Sequence, residues 1–218
     1  MDHELVSVAT PADAAHAAAQ FMIDAAATPA IDGHFAVAVS GGRTPRLMFD
    51  DIVATDDDLS MWDVWQVDER VAPEGDAARN LLDVTTTLAT RGAQIHALPV
   101  GEADLEQACA LYAASLPTTF DLIHLGLGTD GHTASLVPGD AVLNATQPVA
   151  VTSFYQGHRR LTFTYATLAR ARVLLWLVTG AEKANALARL LTGDDDIPAG
   201  RVSAARSVIV ADHAALEG

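Results

Sequence analysis

The sequence predicts a single α/β domain whose mostly parallel, doubly wound sheet carries helices on both faces. Short apolar runs alternate with helical patterns along the chain, which is typical of parallel strands joined by crossover helices. Half of the 218 residues are hydrophobic, so a sizeable core is available to a chain of this length. No low-complexity linker and no internal repeat interrupts residues 1–218, which predicts one domain.

Capping residues and helix breakers mark where the predicted helices begin and end. Thr10 before Pro11 opens one helical pattern and Thr44 before Pro45 opens another, each with threonine as the cap and proline at the first helical position. Pro117 stops a third pattern, because proline cannot continue a helix. The predicted helices cover residues 11–27, 46–53, 81–90, 103–116 and 181–191.

The predicted strands are short apolar runs, most of which end in polar residues. No apolar run approaches the ~20 residues that a membrane span needs, and no signal-type apolar segment follows the acidic start of the chain. We therefore expect a cytoplasmic protein. The predicted strands cover residues 35–39, 64–67, 122–125, 150–152, 160–164, 173–178 and 207–210.

The composition restricts the class of partner. The formal net charge is −15, which argues against nucleic acid, because binding a phosphate backbone needs a basic surface. A small anionic substrate stays compatible, since a few cations in one cleft outweigh a distant acidic surface. Lys183 is the only lysine. Cys109 is the only cysteine and lies in a helical pattern, which excludes an intrachain disulfide and predicts a packed thiol.

Four polar clusters follow predicted strands, and ligands of open α/β sheets bind at the carboxyl ends of the strands. They are residues 40–42, 68–70, 128–133 and 179–183. In the first, two glycines precede a helix, whose N-terminal N–H groups are suited to a phosphate. A plain tight turn is the alternative, and the spacing fits neither a Walker loop nor a dinucleotide fingerprint.

The second and fourth clusters each carry a cation. The planar guanidinium of Arg70 is suited to phosphate, and the adjacent Asp68 and Glu69 can hold it or a sugar hydroxyl. A surface salt-bridge cluster is the alternative there. Lys183 lies in the first turns of a predicted helix, where a cation is unfavourable without an anionic partner. An ordinary exposed lysine is the alternative.

The third cluster contains a candidate catalytic base, His132. A histidine in a glycine-rich loop is not in a core-packing position, and imidazole titrates close to neutral pH, as a general base should. Asp130 would orient the ring and stabilise its charged form. The alternative is a capped turn with an incidental histidine. A metal site has less support, because no second histidine or cysteine stands at ligand spacing and His124 falls within a predicted strand.

At these positions the sequence resembles the 6-phosphogluconolactonase family. Residues 40–45, SGGRTP, are similar to its Ser-Gly-Gly-x-Thr-Pro loop, and residues 68–70 to its Asp-Glu-Arg signature. Residues 126–139, GLGTDGHTASLVPG, are similar to its most specific stretch almost residue for residue. Residues 179–184, TGAEKA, and 198–202, PAGRV, match later segments, so the resemblance covers nearly the whole chain.

The resemblance implies a Rossmann-like or NagB-like fold and a cytoplasmic hydrolase of the oxidative pentose phosphate pathway. Such an enzyme opens 6-phospho-D-glucono-1,5-lactone to 6-phosphogluconate with neither a metal nor another cofactor. By this resemblance His132 is the base that activates water, with Asp130 beside it and Asp68 near the substrate. The residues implied to bind the substrate and its phosphate are Ser40, Gly41, Gly42, Arg70, Lys183 and Arg201.

The chain departs from the family pattern at three places, which leaves details of the substrate loops open. Arg43 stands where a small residue is frequent, and Arg79 stands where serine is common. Residues 150–159 lack the proline-rich loop that many members have.

Two alternatives belong to other functional classes. Glucosamine-6-phosphate deaminases are similar around the histidine, but theirs is typically followed by Ile-Ala-Phe-Asn, where this chain has TASL at residues 133–136. A non-catalytic sugar-phosphate sensor domain is disfavoured, because His132 is present and no helix-turn-helix or basic segment is. The expected partner is therefore the small lactone, not nucleic acid or a membrane, and the expected state is a monomer.

Overall fold

The computed structural model describes residues 2–28 and 33–218. Within them, the main sheet consists of seven parallel strands: β1 (Glu4–Val8), β2 (Phe35–Val39), β3 (Trp62–Gln66), β5 (Gln94–His96), β6 (Phe120–Leu125), β9 (Ala171–Val178) and β10 (Arg206–Asp212). They lie in the order β1-β10-β9-β6-β2-β3-β5. A second, antiparallel sheet consists of β4 (Asp68–Arg70), β8 (Arg160–Phe163) and β7 (Val149–Val151), in that spatial order.

Helices cover both faces of the main sheet, which confirms the predicted fold class. The helices of the described residues are α1 (Pro11–Ala26), α2 (Arg43–Ala54), α3 (Leu81–Thr85), α4 (Leu105–Ser115), α5 (Tyr165–Leu168), α6 (Ala184–Leu191) and α7 (His213–Glu217). The apolar sides of α1 and α2 pack with Leu122 of β6 on one face. Those of α4 and α6 pack with Ile123 on the other face, together with the second sheet. As expected for a strand covered on both faces, β6 is buried along its whole length.

The strand order positions the functional site. From β2 the chain builds the sheet outward through β3 to β5, and from β6 it builds outward in the opposite direction through β9 to β10. The strands β2 and β6 are neighbours, so the topological switch point lies between them. Ligands of doubly wound sheets bind at the carboxyl ends of such a pair.

The two predicted threonine caps have different outcomes. Thr10 caps α1 as predicted, because its hydroxyl accepts the Asp13 backbone N–H at 3.1 Å and the Asp13 carboxylate accepts the Thr10 N–H in return. The prediction for α2 is wrong. This helix begins at Arg43 with Gly42 at the cap position, and the Thr44 hydroxyl instead bonds the Thr179 hydroxyl at 3.0 Å. The Thr44 hydroxyl thus binds a residue that is distant in sequence instead of capping its own helix.

The predicted helix over 81–90 is also wrong, because α3 ends at Thr85 and a 3₁₀ helix, Leu88–Arg91, follows it. The hydroxyls of Thr85, Thr86 and Thr87 each donate to a carbonyl of the preceding turn. Consecutive β-branched residues that bond the backbone in this way weaken an α-helix. The predicted helix over 181–191 likewise opens with a 3₁₀ turn before α6.

The predicted strands lie within two residues of their observed bounds. Sequence reasoning missed β1, β4 and β5. The strands β4 and β5 have three residues each and are rich in polar residues, whereas β1 has five residues, ELVSV. The packed-thiol prediction is confirmed, since Cys109 is buried in α4 and burial raises its pKa to about 12. Among the described residues, no helix has the length and apolar character to cross a bilayer.

Candidate active site

A cleft of about 530 Å³ opens at the carboxyl ends of β2, β6 and β9, beside the switch point. Residues from all four predicted clusters line its wall: three clusters are in the loops that follow these strands, and Asp68 and Arg70 are on β4. Among the described residues, the wall carries four cations and two carboxylates besides a histidine, so the cleft is basic in an acidic protein. These charged residues are Arg43, Arg70, Arg160, Lys183, Asp68 and Glu182.

The loop between β2 and α2 forms the part of the wall that is suited to an anion. Ser40 and Gly41 line the cleft, and the Ser40 hydroxyl donates to the His124 carbonyl at 3.2 Å. Gly41 packs so closely against Asn80 that a Cβ at this position would overlap the amide side chain. The first turn of α2 follows directly, so its free backbone N–H groups and the positive end of its dipole lie at this loop.

Glu69 anchors the neighbouring wall. Its side chain is fully buried, and its carboxylate accepts four hydrogen bonds, each 2.8 Å long. The donors are the Gln66 side-chain amide and the backbone N–H groups of Arg70, Asn80 and Leu81. These bonds tie β4 to the start of α3 and hold Asp68 and Arg70, on either side of Glu69, at the cleft.

Asp68 is held by residues from distant parts of the chain. Its buried carboxylate accepts the Ser135 hydroxyl at 2.5 Å, and the Asn80 amide donates to its other oxygen at 3.4 Å. Arg160 extends this network by donating from Nη1 to the Ser135 hydroxyl at 3.3 Å. The second sheet makes these contacts possible, because Asp68 on β4 lies beside Thr162 on β8.

The guanidinium groups of Arg70, which is partly exposed, and of Arg160, which is buried, both line the cleft. Arg70 donates from Nη1 to the Ala78 carbonyl at 2.6 Å, but neither its Nε nor that of Arg160 has a partner among the described residues. Burial lowers the pKa of Arg160, whereas the charge of Asp68 raises it. Two guanidinium charges at one wall favour an anionic ligand in the cleft.

His132 lies in the loop after β6, where contacts within the loop orient it. Its Nδ1 is 2.5 Å from Asp130 Oδ1, and the same oxygen accepts its backbone N–H at 3.1 Å. The Gly128 N–H donates to the His132 carbonyl at 2.8 Å, and a Cβ at Gly128 would overlap the imidazole ring. With Nδ1 engaged, Nε2 is the ring nitrogen available to a ligand.

The charge of Asp130 sets which ring nitrogen carries the proton. Partial burial raises the pKa of Asp130, but the hydrogen bonds from the His132 backbone and ring outweigh burial and hold the pKa below its ordinary value. Asp130 is therefore ionised at neutral pH. An ionised carboxylate favours the tautomer of His132 with its proton on Nδ1, which makes Nε2 a proton acceptor.

Lys183 lines the cleft from the 3₁₀ turn that precedes α6, and it is partly exposed. Among the described residues, its ammonium group has no hydrogen-bond or ion-pair partner. A cation at the start of a helical segment is not stabilised by the helix dipole, so the placement of Lys183 also favours an anionic ligand.

Three predicted site residues do not line the cleft: Gly42, Asp130 and Arg201. Gly42 lies between the lining residues Gly41 and Arg43, and Asp130 contacts His132, which does line the cleft. The third residue is Arg201. It is exposed in the 3₁₀ helix Pro198–Arg201, and its Nε donates to the Asp195 carbonyl at 2.6 Å. This short helix contacts the loop that carries His132, where the Ala199 N–H donates to the Gly131 carbonyl. A direct contact between Arg201 and a ligand stays a prediction.

Sequence reasoning missed four polar residues of the site as candidates: Arg43, Asn80, Ser135 and Arg160. Arg160 could have been noticed because it is a charged residue at the start of the predicted strand 160–164. For Ser135 there was no local signal, because its role depends on a carboxylate 67 residues earlier in the chain.

Outside the cleft wall, one group of described residues lies close enough to share a metal ion. It consists of the carboxylates of Asp194, Asp195 and Asp196, two of which are exposed. Arg189 donates to Asp194 at 2.6 Å, so a protein cation already occupies this group.

The fold and the site define an α/β enzyme with a basic cleft for a small anionic ligand. The family model for glucosamine-6-phosphate isomerases and 6-phosphogluconolactonase matches residues 9–211, and the chain belongs to this family. A 6-phosphogluconolactonase of Rhizobium meliloti is 35% identical over 184 residues, which cover 78% of this chain and 79% of the relative. One of Streptomyces coelicolor is 30% identical over 244 residues, covering 94% of each chain.

A solved structure confirms the fold. The crystal structure of a 6-phosphogluconolactonase from Thermotoga maritima matches with a TM-score of 0.84, covering 97% of this chain and 100% of that chain. The two chains are 24% identical in sequence, so this similarity is evidence for the shared architecture.

Proposed function

We propose that this protein is a hydrolase that opens 6-phospho-D-glucono-1,5-lactone to 6-phosphogluconate, with His132 as the general base and without a metal ion. The observation that carries the proposal is the pairing of His132 with Asp130 at the wall of a cleft that also holds four cations. A base and an anion-binding surface in one cleft fit a phosphorylated, water-sensitive substrate. The curated relatives are named 6-phosphogluconolactonases, which supports the same reaction.

The reaction needs one proton acceptor that later becomes a proton donor. Nε2 of His132 takes a proton from a water molecule as the water oxygen bonds to the lactone carbonyl carbon, C1. The bond between C1 and the ring oxygen then breaks, and the imidazolium returns the proton to that oxygen. Asp130 stabilises the imidazolium while it exists. The products are the open-chain carboxylic acid and an unchanged histidine.

The cations of the cleft bind the 6-phosphate in this proposal. Arg70 and Arg160 supply guanidinium groups that line the cleft, and Lys183 supplies an ammonium group without a partner among the described residues. Arg43 also lines the cleft, directly after Gly42. The loop of Ser40, Gly41 and Gly42 adds the N–H groups at the start of α2. Because the phosphate is remote from C1, its binding energy holds C1 near the base. We assign Asp68, oriented by Ser135, to the substrate hydroxyls.

The remaining predictions also stay proposals. The family match over residues 9–211 supports a single domain. A cytoplasmic location, a monomeric state and a contact from Arg201 are expectations that follow from the sequence and the resemblance.

The test compares 6-phosphogluconolactone with glucono-1,5-lactone, after subtraction of spontaneous hydrolysis. We expect kcat/KM for the phosphorylated lactone to be ~10²-fold higher or more. Lys183→Ala should lower it ten- to a hundredfold, about the value of a hydrogen bond to a charged group, mainly by raising KM. Arg206→Ala, at the amino end of β10, is the matched control. Equal losses with both lactones would exclude Lys183 from the phosphate site.

Two further measurements separate the alternatives. Exhaustive chelation should leave the rate unchanged, and a rate that chelation abolishes and one divalent ion restores would contradict the metal-free mechanism. The family model also covers glucosamine-6-phosphate isomerases, so release of ammonia from glucosamine 6-phosphate should be assayed. Turnover of this amino sugar without lactone hydrolysis would replace the proposal with the deaminase alternative.

A further inference from the structure

The hairpin between β7 and β8 brings an aromatic residue to the base. Its tip is closed by mutual backbone hydrogen bonds between Tyr155 and His158, at 3.0 and 3.2 Å. Tyr155 lies in the segment 150–159, where the chain departs from the family's proline-rich loop. The role of this tyrosine therefore does not follow from the motifs that identify the family.

Tyr155 contacts both members of the catalytic pair. Its hydroxyl donates to Asp130 Oδ2 at 3.3 Å, whereas His132 uses the other oxygen of the same carboxylate. The ring packs edge-on against the His132 ring, with 5.5 Å between centroids and 69° between planes. The carboxylate is thus held from both sides, by His132 and by Tyr155.

Further contacts hold Tyr155 in place. The Arg160 guanidinium lies over the Tyr155 ring, 5.0 Å from the centroid, and the Gln156 amide donates to the Tyr155 hydroxyl at 3.3 Å. Arg160 also contacts Ser135, which binds Asp68. Tyr155 therefore joins the His132–Asp130 pair to the buried network around Asp68.

We propose that Tyr155 is a positioning residue of the lactonase reaction, which holds the Asp130 carboxylate and the edge of the His132 ring in the orientation that catalysis needs. This inference rests on the proposed function. The Tyr155 hydroxyl donates to the oxygen of Asp130 that the imidazole does not use. Burial and the charge of Asp130 both raise the pKa of Tyr155, so the phenol stays protonated and able to donate.

Tyr155→Phe removes the hydroxyl and keeps the ring between His132 and Arg160. We expect kcat to fall about three- to tenfold with KM unchanged, because the base is less well oriented and substrate binding is untouched. Without the phenol, the Asp130 carboxylate should also hold the imidazolium more strongly through Oδ1, so the acid limb of the pH–rate profile should move to higher pH. Phe154→Ala is the control, since Phe154 is on the same hairpin tip with 76% of its surface exposed.

A double-mutant cycle with Asp130→Asn decides whether Tyr155 acts through Asp130. Coupled residues give losses that do not add, so Tyr155→Phe should have little further effect once Asp130 is an amide. Additive losses, an unchanged kcat in Tyr155→Phe, or an equal loss in Phe154→Ala would each overturn the inference. Failure of the wild-type protein to hydrolyse the lactone would instead overturn the proposed function.

Discussion

Two parts of the cleft wall depend on contacts of very different sequence separation. We call them the His132 wall, which is the loop that carries Asp130 and His132, and the Asp68 wall, which consists of residues 68–70. In the His132 wall, the ring bonds Asp130, two residues earlier, and the backbone bonds Gly128, four residues earlier. In the Asp68 wall, the carboxylate depends on Ser135, which is 67 residues later in the chain. The pair that performs the chemistry is thus organised within one loop, whereas the surface that binds the ligand is assembled from several elements.

The two walls also differ in burial. The His132 side chain is 23% exposed, whereas Glu69, at the centre of the Asp68 wall, is fully buried. A partly exposed group such as His132 can be reached by water and contributes little to the free energy of unfolding. A buried carboxylate that accepts four hydrogen bonds contributes much more. Substitutions in the first wall should therefore change the rate, and substitutions in the second should change stability as well.

The largest expected effect belongs to the exposed wall. His132→Ala should lower kcat for the lactone by ~10²–10⁴, because the water loses its base. The free energy of unfolding and KM should stay close to their wild-type values. Steady-state kinetics and urea denaturation measure the two quantities. His16→Ala, an exposed histidine on α1, is the matched control, and a His132→Ala protein with near-normal turnover would remove His132 from the mechanism.

In the Asp68 wall, Glu69→Gln should mainly lower the stability of the protein. Each Glu69 oxygen accepts two of the four hydrogen bonds. A glutamine presents an N–H₂ group in place of one oxygen, so two hydrogen bonds are lost and buried donors are left unpaired. We expect the free energy of unfolding to fall by roughly 3 kcal/mol or more. KM should also rise, because Asp68 and Arg70 lose their anchor.

Glu74→Gln provides the matched control for this wall, since Glu74 is an exposed glutamate in the loop that follows β4. Urea denaturation of both variants measures the difference. If Glu69→Gln is within about 0.5 kcal/mol of the wild type, as for an ordinary surface substitution, Glu69 does not anchor the wall.

The smallest expected effect is the pH dependence of stability that comes from Asp130. Its folded pKa is lowered, so its contribution is fully present above the unfolded value of ~3.9 and is lost as the pH falls through the folded pKa. Asp130→Asn should remove this part of the dependence. The contribution of Asp130 to the free energy of unfolding is small, because its side chain is 37% exposed. A wild-type stability that tracks Asp130→Asn across this acid range would contradict the prediction.

The elements that sequence predicted best are those whose signals are local. Thr10, Pro11 and Asp13 form one capping unit, and α1 starts there as predicted. The strand β9 contains a continuous apolar run, residues 173–178, bounded by polar residues, and its bounds are within two residues of the predicted ones. The edge strand β5 was missed, because its three residues, QIH, carry no such pattern.

Tertiary contacts account for three further errors. The start of α2 was misplaced because Thr44 bonds Thr179 instead of capping the helix. The sequence does not predict the strand β4 at residues 68–70, because its pairing with β8, some 90 residues later, leaves no local periodicity. Arg160 was assigned to a strand and not to the site, since its closeness to Ser135 and Tyr155 follows from the second sheet.

The sequence by itself determined the α/β class, the family, the glycine loops and the His132–Asp130 pair, because each of these depends on residues that are neighbours along the chain. The tertiary structure decided how the cleft is completed: that Glu69 is a buried anchor, that Ser135 and Arg160 join Asp68, and that Tyr155 reaches Asp130. The physical reason is that hydrogen bonds and buried charges act over a few ångströms. Residues far apart in sequence therefore acquire these roles only after strand pairing and helix packing bring them together.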